Sequence, residues 1–245
     1  MEKAWLYAAV GGILPMIFWI FFWFREDTEK PEPKPLILET FILGIISAFV
    51  ALLAQSFIHQ LNLRSLDQTI LFSFVEEFLK FFSVFAVALG TVWADERVDP
   101  MLYMIVAALG FSAVENTYYI VELITHSDYL KILIDGSYRF IGATLLHTTT
   151  SAIIGFFISM VFFRRRIIRV SFAFLGLFFA TIIHTIFNLL VSSQNVFYNK
   201  LGFFGAWGGI VLIMFLFEYI HSKKRKIKVE LPKDENEDLF RKVCF

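Results

Sequence analysis

Long apolar runs alternate with short polar connections along the chain, and seven of these runs are long enough to cross a bilayer. A helical span needs about 20 apolar residues to cross the hydrocarbon core. The segments that meet this length are roughly 4–24, 36–56, 70–93, 101–124, 140–163, 170–191 and 201–220. Because a helix satisfies its own backbone hydrogen bonds in lipid, the pattern predicts an all-α fold, a polytopic membrane bundle of about seven transmembrane helices.

The charged connections indicate the orientation and the limits of the membrane domain. The strongest basic blocks, "RRRIIR" at 164–169 and "KKRKIK" at 223–228, follow the fifth and seventh spans. Since basic connections stay preferentially in the cytoplasm, we expect the N-terminus outside and the C-terminus in the cytoplasm. The expected organisation is a transmembrane domain over residues 1–222 and a charged cytoplasmic tail over 223–245.

The composition agrees with a protein whose surroundings are a lipid bilayer. Hydrophobic residues make up 58% of the chain and aromatic residues 18%, and the mean hydropathy is +0.67, all above the values of soluble domains. The formal net charge is zero, but the charges are grouped at the ends of apolar runs, so this balance says little about partners. We expect the lipid bilayer and no nucleic acid as the surroundings of this protein. The single cysteine, Cys244, excludes a disulfide within the chain and a cysteine-based zinc site.

Polar side chains interrupt four of the apolar runs. The stretch "SFVEEFLKFF" places Glu76, Glu77 and Lys80 in the third span. The polar residues of the next three spans are Glu115, Asn116, His147, His184 and Asn188. On the predicted topology all of them lie roughly 5–14 Å below the outer boundary, at 1.5 Å per residue. Because a charged residue in lipid costs about 2.5–3.5 kcal/mol even on a lenient scale, a common depth indicates one shared polar site.

The charges of this group do not balance. Glu76, Glu77 and Glu115 face one lysine, Lys80, which lies within reach of the first two at i+4 and i+3. Full ionisation would leave two negative charges in excess, which a site of low dielectric constant cannot hold unaided. The group must therefore take up protons, protonate histidines or bind a cation. Taken singly, the Glu–Lys pair is equally compatible with a tether between helices, and each histidine with a packing role.

The order of the motifs resembles that of a known family. "FVEEFLK" is an E-E-x-x-K element, "FSAVE" is F-x-x-x-E, "HTIFN" is H-x-x-x-N, and "RFIGATLLH" adds a histidine between the last two. This set is similar to the motifs of the PrsW family of bacterial intramembrane proteases. That family is in turn distantly similar to the CAAX prenyl endopeptidase and Abi group. The resemblance covers nearly the whole chain up to about residue 220. It implies a membrane protease in the bacterial inner membrane.

The resemblance also implies a substrate and residue roles. The substrate would be a single-span membrane protein, like an anti-sigma factor, cleaved at site one on the extracytoplasmic side. Glu76 matches a water-activating glutamate, and His184 and Asn188 match groups that steady the oxyanion. CAAX-type relatives carry histidine where this chain has Glu115, so their roles transfer only in part. The expected catalytic residues are Glu76, Glu77, Glu115, His184 and Asn188, supported by Lys80, Phe111, Asn116 and Arg139.

Water is the expected nucleophile, because no motif positions a serine or threonine and the apolar runs contain no cysteine. In a metal-free scheme, Glu76 is the general base and His184 with Asn188 binds the oxyanion. In a metal-dependent scheme, a cation activates a water with the help of Glu76, and the nitrogen and carboxylate ligands favour zinc. The ligands in that scheme come from Glu77, Glu115, His147 and His184. The charge excess favours the metal and the lack of an H-E-x-x-H helix does not, so both schemes stay open.

Two further classes of protein carry comparable residues. An ion or proton transporter also buries Glu, Lys and His, but it needs a polar route to the inner face. The inner halves of the third to sixth spans offer little for such a route beyond Ser83, Ser112, Ser159 and Ser171. A substrate-binding relative without activity is the other alternative, against which the intact motifs argue. For Arg139, at the start of the fifth span, an outward orientation toward lipid headgroups is favoured over contact with the acidic group.

Overall fold

The computed structural model describes residues 2–26, 32–126 and 129–230, which form seven helices and no strand. Within these ranges the side chains at 2–4, 7, 24–26, 123, 125–126, 129–140 and 223–230 are not described. The helices are α1 (Glu2–Glu26), α2 (Lys34–Gln60), α3 (Ser65–Val87), α4 (Asp99–His126), α5 (Tyr129–Met160), α6 (Arg166–Val191) and α7 (Val196–Glu230). The predicted all-α bundle is confirmed.

The predicted end of the third span differs from the structure. The hydropathy pattern predicts the third span over 70–93, whereas α3 ends at Val87 and the chain then turns, with the Leu89 N–H donating to the Val84 carbonyl oxygen at 3.1 Å. Gly90 lies in this turn, where a methyl group added at its Cα would have no heavy atom within 4 Å. The predicted span continues into this turn because the hydropathy value of Ala, Leu or Val is the same whether the residue lies in a helix or in a turn.

Five helices are long and apolar enough to cross a membrane, by length and composition. They are α2, α4, α5, α6 and α7, and the described part of α1 adds a shorter apolar stretch, Ala8–Trp23. Helix α3 differs because Glu76, Glu77 and Lys80 fall in its middle. The chain is a multi-pass membrane protein in which α3 depends on its neighbours to compensate its charges.

Helices α4 and α5 form the centre of the bundle. Helix α4 packs against α1, α2 and α5, and α5 packs against α4, α6 and α7, while α3 lies between α2 and α6. From Met101 to Leu109, the residues of α4 are fully buried. A four-residue connection, 61–64, joins α2 to α3, with Asn62 in the left-handed region at φ 49°, a conformation that asparagine tolerates. This short turn makes α2 and α3 antiparallel neighbours.

Two glycines allow α2 and α4 to cross closely. A Cβ at Gly44 would lie 2.1 Å from the Ala107 carbonyl oxygen, and a Cβ at Gly110 would lie 2.1 Å from the Phe41 carbonyl oxygen. Both obstacles are backbone atoms, which cannot rotate away as a side chain does. The crossing therefore fixes the distance between the two helices, one turn or more before the polar residues of α4 begin.

We expect Gly44→Ala and Gly110→Ala to lower the stability of the bundle by about 1–3 kcal/mol each, because the added methyl group forces the helices apart. Thermal unfolding of purified protein in detergent measures the change. The matched control is Gly205→Ala in α7, where no heavy atom lies within 4 Å of the added carbon. Equal melting temperatures for all three variants would contradict the close-crossing argument.

Candidate active site

Helix α3 presents its charged residues to the interior of the bundle. Ser73, Glu76, Glu77 and Lys80 are all buried, with exposed fractions of 5% for Glu76 and 0% for the other three. They occupy one side of the helix, since residues three and four apart lie on the same face. The opposite side carries Phe74 and other exposed apolar residues. The sequence of α3 thus divides it into a face for lipid and a face for a polar centre.

The carboxylate of Glu77 is the most highly bonded group in this centre. Its Oε1 accepts hydrogen bonds from Lys80 Nζ at 2.7 Å, from His184 Nδ1 at 2.7 Å and from Thr150 Oγ1 at 2.9 Å. Its Oε2 accepts a bond from Ser151 Oγ at 3.4 Å. Because these donors come from α3, α5 and α6, one carboxylate joins three helices.

Glu77 also sets the orientation of the His184 ring. An ionised carboxylate only accepts hydrogen bonds, so the bond from Nδ1 to Glu77 places the ring proton on Nδ1. In the neutral ring, Nε2 then carries the lone pair. It faces Glu76 Oε2 at 3.5 Å, and the His184 side chain is buried.

Glu76 holds one oxygen in a hydrogen bond and leaves the other without one. Its Oε1 accepts a bond from Gln55 Nε2 of α2 at 2.6 Å. Its Oε2 is buried and has no hydrogen-bond partner among the described residues. This oxygen, which lacks a hydrogen bond from the described residues, lies 3.5 Å from His184 Nε2.

His147 of α5 connects Lys80 with Glu115. Its Nδ1 lies 3.0 Å from Lys80 Nζ, and its Nε2 lies 2.5 Å from Glu115 Oε2. With Lys80 as an ammonium donor, Nδ1 accepts, and Nε2 carries the proton that is donated to Glu115. The ring packs edge-on against His184 at 5.0 Å between centroids, and 5.2 Å from the Phe111 ring.

Phe111 and two asparagines complete the surroundings. Lys80 Nζ lies 4.9 Å above the centre of the Phe111 ring, within the range of a cation–π contact. Asn116 Nδ2 donates to Thr144 Oγ1 at 2.9 Å, and Asn188 Nδ2 donates to Ser73 Oγ at 3.4 Å.

These residues border a cavity of about 390 Å³. Its walls come from α2 to α6, and they include Leu52, Gln55, Thr69, Phe72, Glu76, Glu115, Asn116, Tyr118, Tyr119, Glu122, Ala143, Leu146, His147, His184, Phe187, Asn188, Val191 and Ser192. The lining residues belong to the end of the bundle where α2, α4 and α6 finish and α3 and α5 begin. Glu77 and Lys80 lie behind this wall. The cavity therefore approaches the polar centre from one end of the membrane domain.

The donor atoms fit a metal ion. Glu76, His147 and His184 each offer one ligand atom, and these atoms lie within 4.8 Å of one another. The 3.5 Å between Glu76 Oε2 and His184 Nε2 is close to the separation of about 3.4 Å between two tetrahedral ligands of zinc. The bond from His184 Nδ1 to Glu77 is the support that metal-binding histidines generally have. Among the described residues, no other group of three such side chains meets this criterion.

The structure brings together most of the residues singled out from the sequence. Glu76, Glu77, Lys80, Phe111, Glu115, His147 and His184 are in mutual contact through the bonds and rings described above, and Asn116 and Asn188 line the same cavity. The group with metal-binding geometry contains Glu76 in place of the Glu77 and Glu115 of the sequence-based ligand set. The side chain of Arg139 lies outside the described residues.

Several polar residues of this centre, among them Gln55, Thr150 and Ser151, were not singled out from the sequence. Gln55 lies near the end of a largely apolar span, and Thr150 and Ser151 belong to the run "HTTTS" that begins at His147. Each gives a weak signal, because a glutamine near a span end and hydroxyl groups in a membrane helix usually bond to water or to the backbone. A search for polar residues facing the Glu76 and Glu77 level from every span would have found them.

Carboxylates and imidazoles around a cavity within a helical membrane bundle are groups that a membrane-embedded hydrolase can use for proton transfer. The chain belongs to the PrsW family: the family model described as "PrsW family intramembrane metalloprotease" matches residues 32–220. It is a membrane-embedded protease that acts on membrane proteins.

Proteins named "Protease PrsW" are similar over most of their length. The protein of Bacillus subtilis (strain 168) is 24% identical over 206 residues, which is 82% of this chain and 91% of that protein. The Halalkalibacterium halodurans protein is 23% identical over 190 residues, 74% and 81% of the two chains. The Clostridioides difficile (strain 630) protein is 22% identical over 212 residues, 84% and 83%. No solved structure matches the chain.

We expect Thr150→Val to destabilise the protein by about 1.5–3 kcal/mol, because it removes a hydrogen bond to a charged group and keeps the shape of the side chain. Thr149→Val is the matched control, since Thr149 Oγ1 is buried without a hydrogen-bond partner in the described part of the chain. Thermal unfolding in detergent compares the two variants. A Thr150→Val protein as stable as Thr149→Val would show that the bond to Glu77 contributes nothing.

Proposed function

We propose that this protease hydrolyses a peptide bond of a single-span membrane protein with a water activated among Glu76, His147 and His184. The observation that supports the proposal is that Glu76 Oε2, buried without a hydrogen-bond partner among the described residues, lies 3.5 Å from His184 Nε2 at the cavity wall. A carboxylate oxygen and an imidazole lone pair repel each other at this distance, so a proton, a water or a cation between them would be favourable. Each of these would place reactive chemistry where a substrate enters.

A zinc ion would be held by Glu76, His147 and His184, the residues whose donor atoms converge. To bind the ion, His147 would exchange one of its two ring contacts, with Lys80 or with Glu115, for the metal. Such an ion, when bound, lowers the pKa of its water and polarises a carbonyl group. Glu115 is the carboxylate that remains for proton transfer: its side chain is 32% exposed and lies beside His147. It is therefore placed to accept a proton from water and to deliver it to the leaving amine. This assignment gives Glu115 the role that the sequence suggested for Glu76.

The other polar residues would orient the His184 ring and stabilise the oxyanion that develops during hydrolysis. Glu77 is saturated by Lys80, Thr150 and His184, so its proposed role is to hold the His184 ring with Nε2 toward the cavity. Asn188 lines the cavity one turn beyond His184, where its amide group is a suitable donor to a developing oxyanion.

The shape of the cavity indicates how the substrate enters. The cavity of about 390 Å³ leads from one end of the membrane domain to the polar centre. The substrate segment would be extended at the point of cleavage, because the carbonyl groups within an α-helix are already engaged in backbone hydrogen bonds. With the basic connections in the cytoplasm, the open end faces the extracytoplasmic side of the bacterial inner membrane. A site-one cut in a membrane-anchored protein such as an anti-sigma factor fits this position.

We expect Glu76→Gln and His184→Ala to reduce cleavage by about 100-fold or more, since each removes a group placed at the reacting water. Co-expression with tagged single-span candidate substrates and immunoblotting of the fragments measures this loss. Glu39→Gln changes an exposed carboxylate of α2 and serves as the control, with cleavage expected at the level of the unaltered protein. Unchanged cleavage in both active-site variants would refute the proposed site.

The metal-dependent scheme predicts about one zinc ion per chain in protein purified from membranes, as one tetrahedral site requires. Treatment with a chelator should remove both the zinc and the activity, and added zinc should restore both. Metal analysis alongside a peptide-cleavage assay checks this. Full activity in protein stripped of metal would instead support the metal-free scheme, with Glu76 as general base.

A further inference from the structure

We propose that Gln55 is a positioning residue that holds the Glu76 carboxylate with Oε2 directed toward His184. This inference rests on the proposed function, because it assigns to Gln55 a role in the same site. Gln55 is partly buried near the C-terminal end of α2, lines the cavity, and donates from Nε2 to Glu76 Oε1 at 2.6 Å.

The bond matters because the terminal torsion of a glutamate side chain is broad and roughly two-fold. Without a hydrogen-bond partner for Oε1, the carboxylate group can rotate about this torsion. No oxygen of Glu76 is then held in the direction of His184. The described residues give Oε2 no hydrogen bond that would fix it from the other side. Gln55 is thus the described group whose hydrogen bond determines which oxygen of Glu76 points to Nε2.

A neutral amide is suited to this role. A lysine or arginine at position 55 would pair with Glu76 and reduce its negative charge toward a cation, whereas an amide N–H fixes the oxygen and keeps that charge. Glu77 has the opposite arrangement, because Lys80 neutralises it directly. The two adjacent glutamates therefore have different hydrogen-bond donors. Glu76, at the cavity, accepts from a neutral amide, and Glu77, behind the cavity wall, accepts from the cationic Lys80.

The same pair of helices provides a matched control. The Nε2 atom of Gln68 in α3 lies 2.6 Å from Nδ1 of His59 in α2. This second bond between α2 and α3 lies outside the cavity lining. If the bond of Gln55 merely ties the two helices together, the loss of either glutamine should have similar effects.

The test compares Gln55→Met with Gln68→Met in purified full-length protein. Methionine is of similar length and lacks the donor. We expect Gln55→Met to bind zinc about 10–100-fold more weakly, as for other losses of a ligand's hydrogen-bond partner, and to lower kcat more than it raises KM. The Gln68→Met variant should keep the zinc affinity and kcat of the unaltered protein. Chelator competition measures affinity, and cobalt absorption spectra report whether the coordination geometry changes.

The outcomes separate this inference from the proposed function. Zinc affinity and kcat of Gln55→Met equal to those of the unaltered protein overturn the inference alone. An unaltered protein that neither binds zinc nor cleaves overturns the proposed function, and the inference with it. If the unaltered protein cleaves without zinc, the comparison rests on kcat alone. A kcat of Gln55→Met equal to that of the unaltered protein then overturns the inference. Should Gln55→Met fail to fold, Gln55→Leu, which also lacks the donor, replaces it with the same expected results.

Discussion

The ion pair between Glu77 and Lys80, buried completely at 2.7 Å, is the constraint on which the rest of the centre depends. A buried carboxylate is tolerated only when its charge and its lone pairs are matched. Lysine matches the charge, and Thr150 and His184 occupy the remaining positions on the same oxygen. The pair thereby fixes the relative positions of α3, α5 and α6 before any substrate or ion is considered.

Close packing elsewhere makes this polar centre possible. The glycines at the α2–α4 crossing bring the two backbones into contact, and beyond the crossing the cavity lies between the ends of the same helices. Because the crossing holds α2 firmly against α4, the part of α2 that borders the cavity places Gln55 at a defined distance from α3. The site is consequently built on helices rather than on connections, which favours precise placement of its side chains.

The sequence was sufficient for the seven helices of the described residues and for the charged residues and histidines that meet in the centre, because a charge in an apolar run is conspicuous and has few explanations. It was not sufficient for the partners. Gln55 and Thr150 are ordinary residues in membrane helices, and only the rotation of α2 and α5 about their axes decides that they meet Glu76 and Glu77. Nor could the motif order distinguish the two adjacent glutamates, since both match the same E-E-x-x-K element.

Helix geometry explains why two adjacent glutamates act differently. Successive residues differ by about 100° around a helix with 3.6 residues per turn, so Glu76 and Glu77 point in different directions and share only part of their surroundings. Glu77 points toward Thr150 and His184, while Glu76 points toward Gln55 and the cavity. His184 lies between the two directions, with Nδ1 on Glu77 and Nε2 toward Glu76. An imidazole has one nitrogen on each side, so a single ring can link the supporting carboxylate to the one at the cavity, and the doubled glutamate becomes a structural requirement rather than a redundancy.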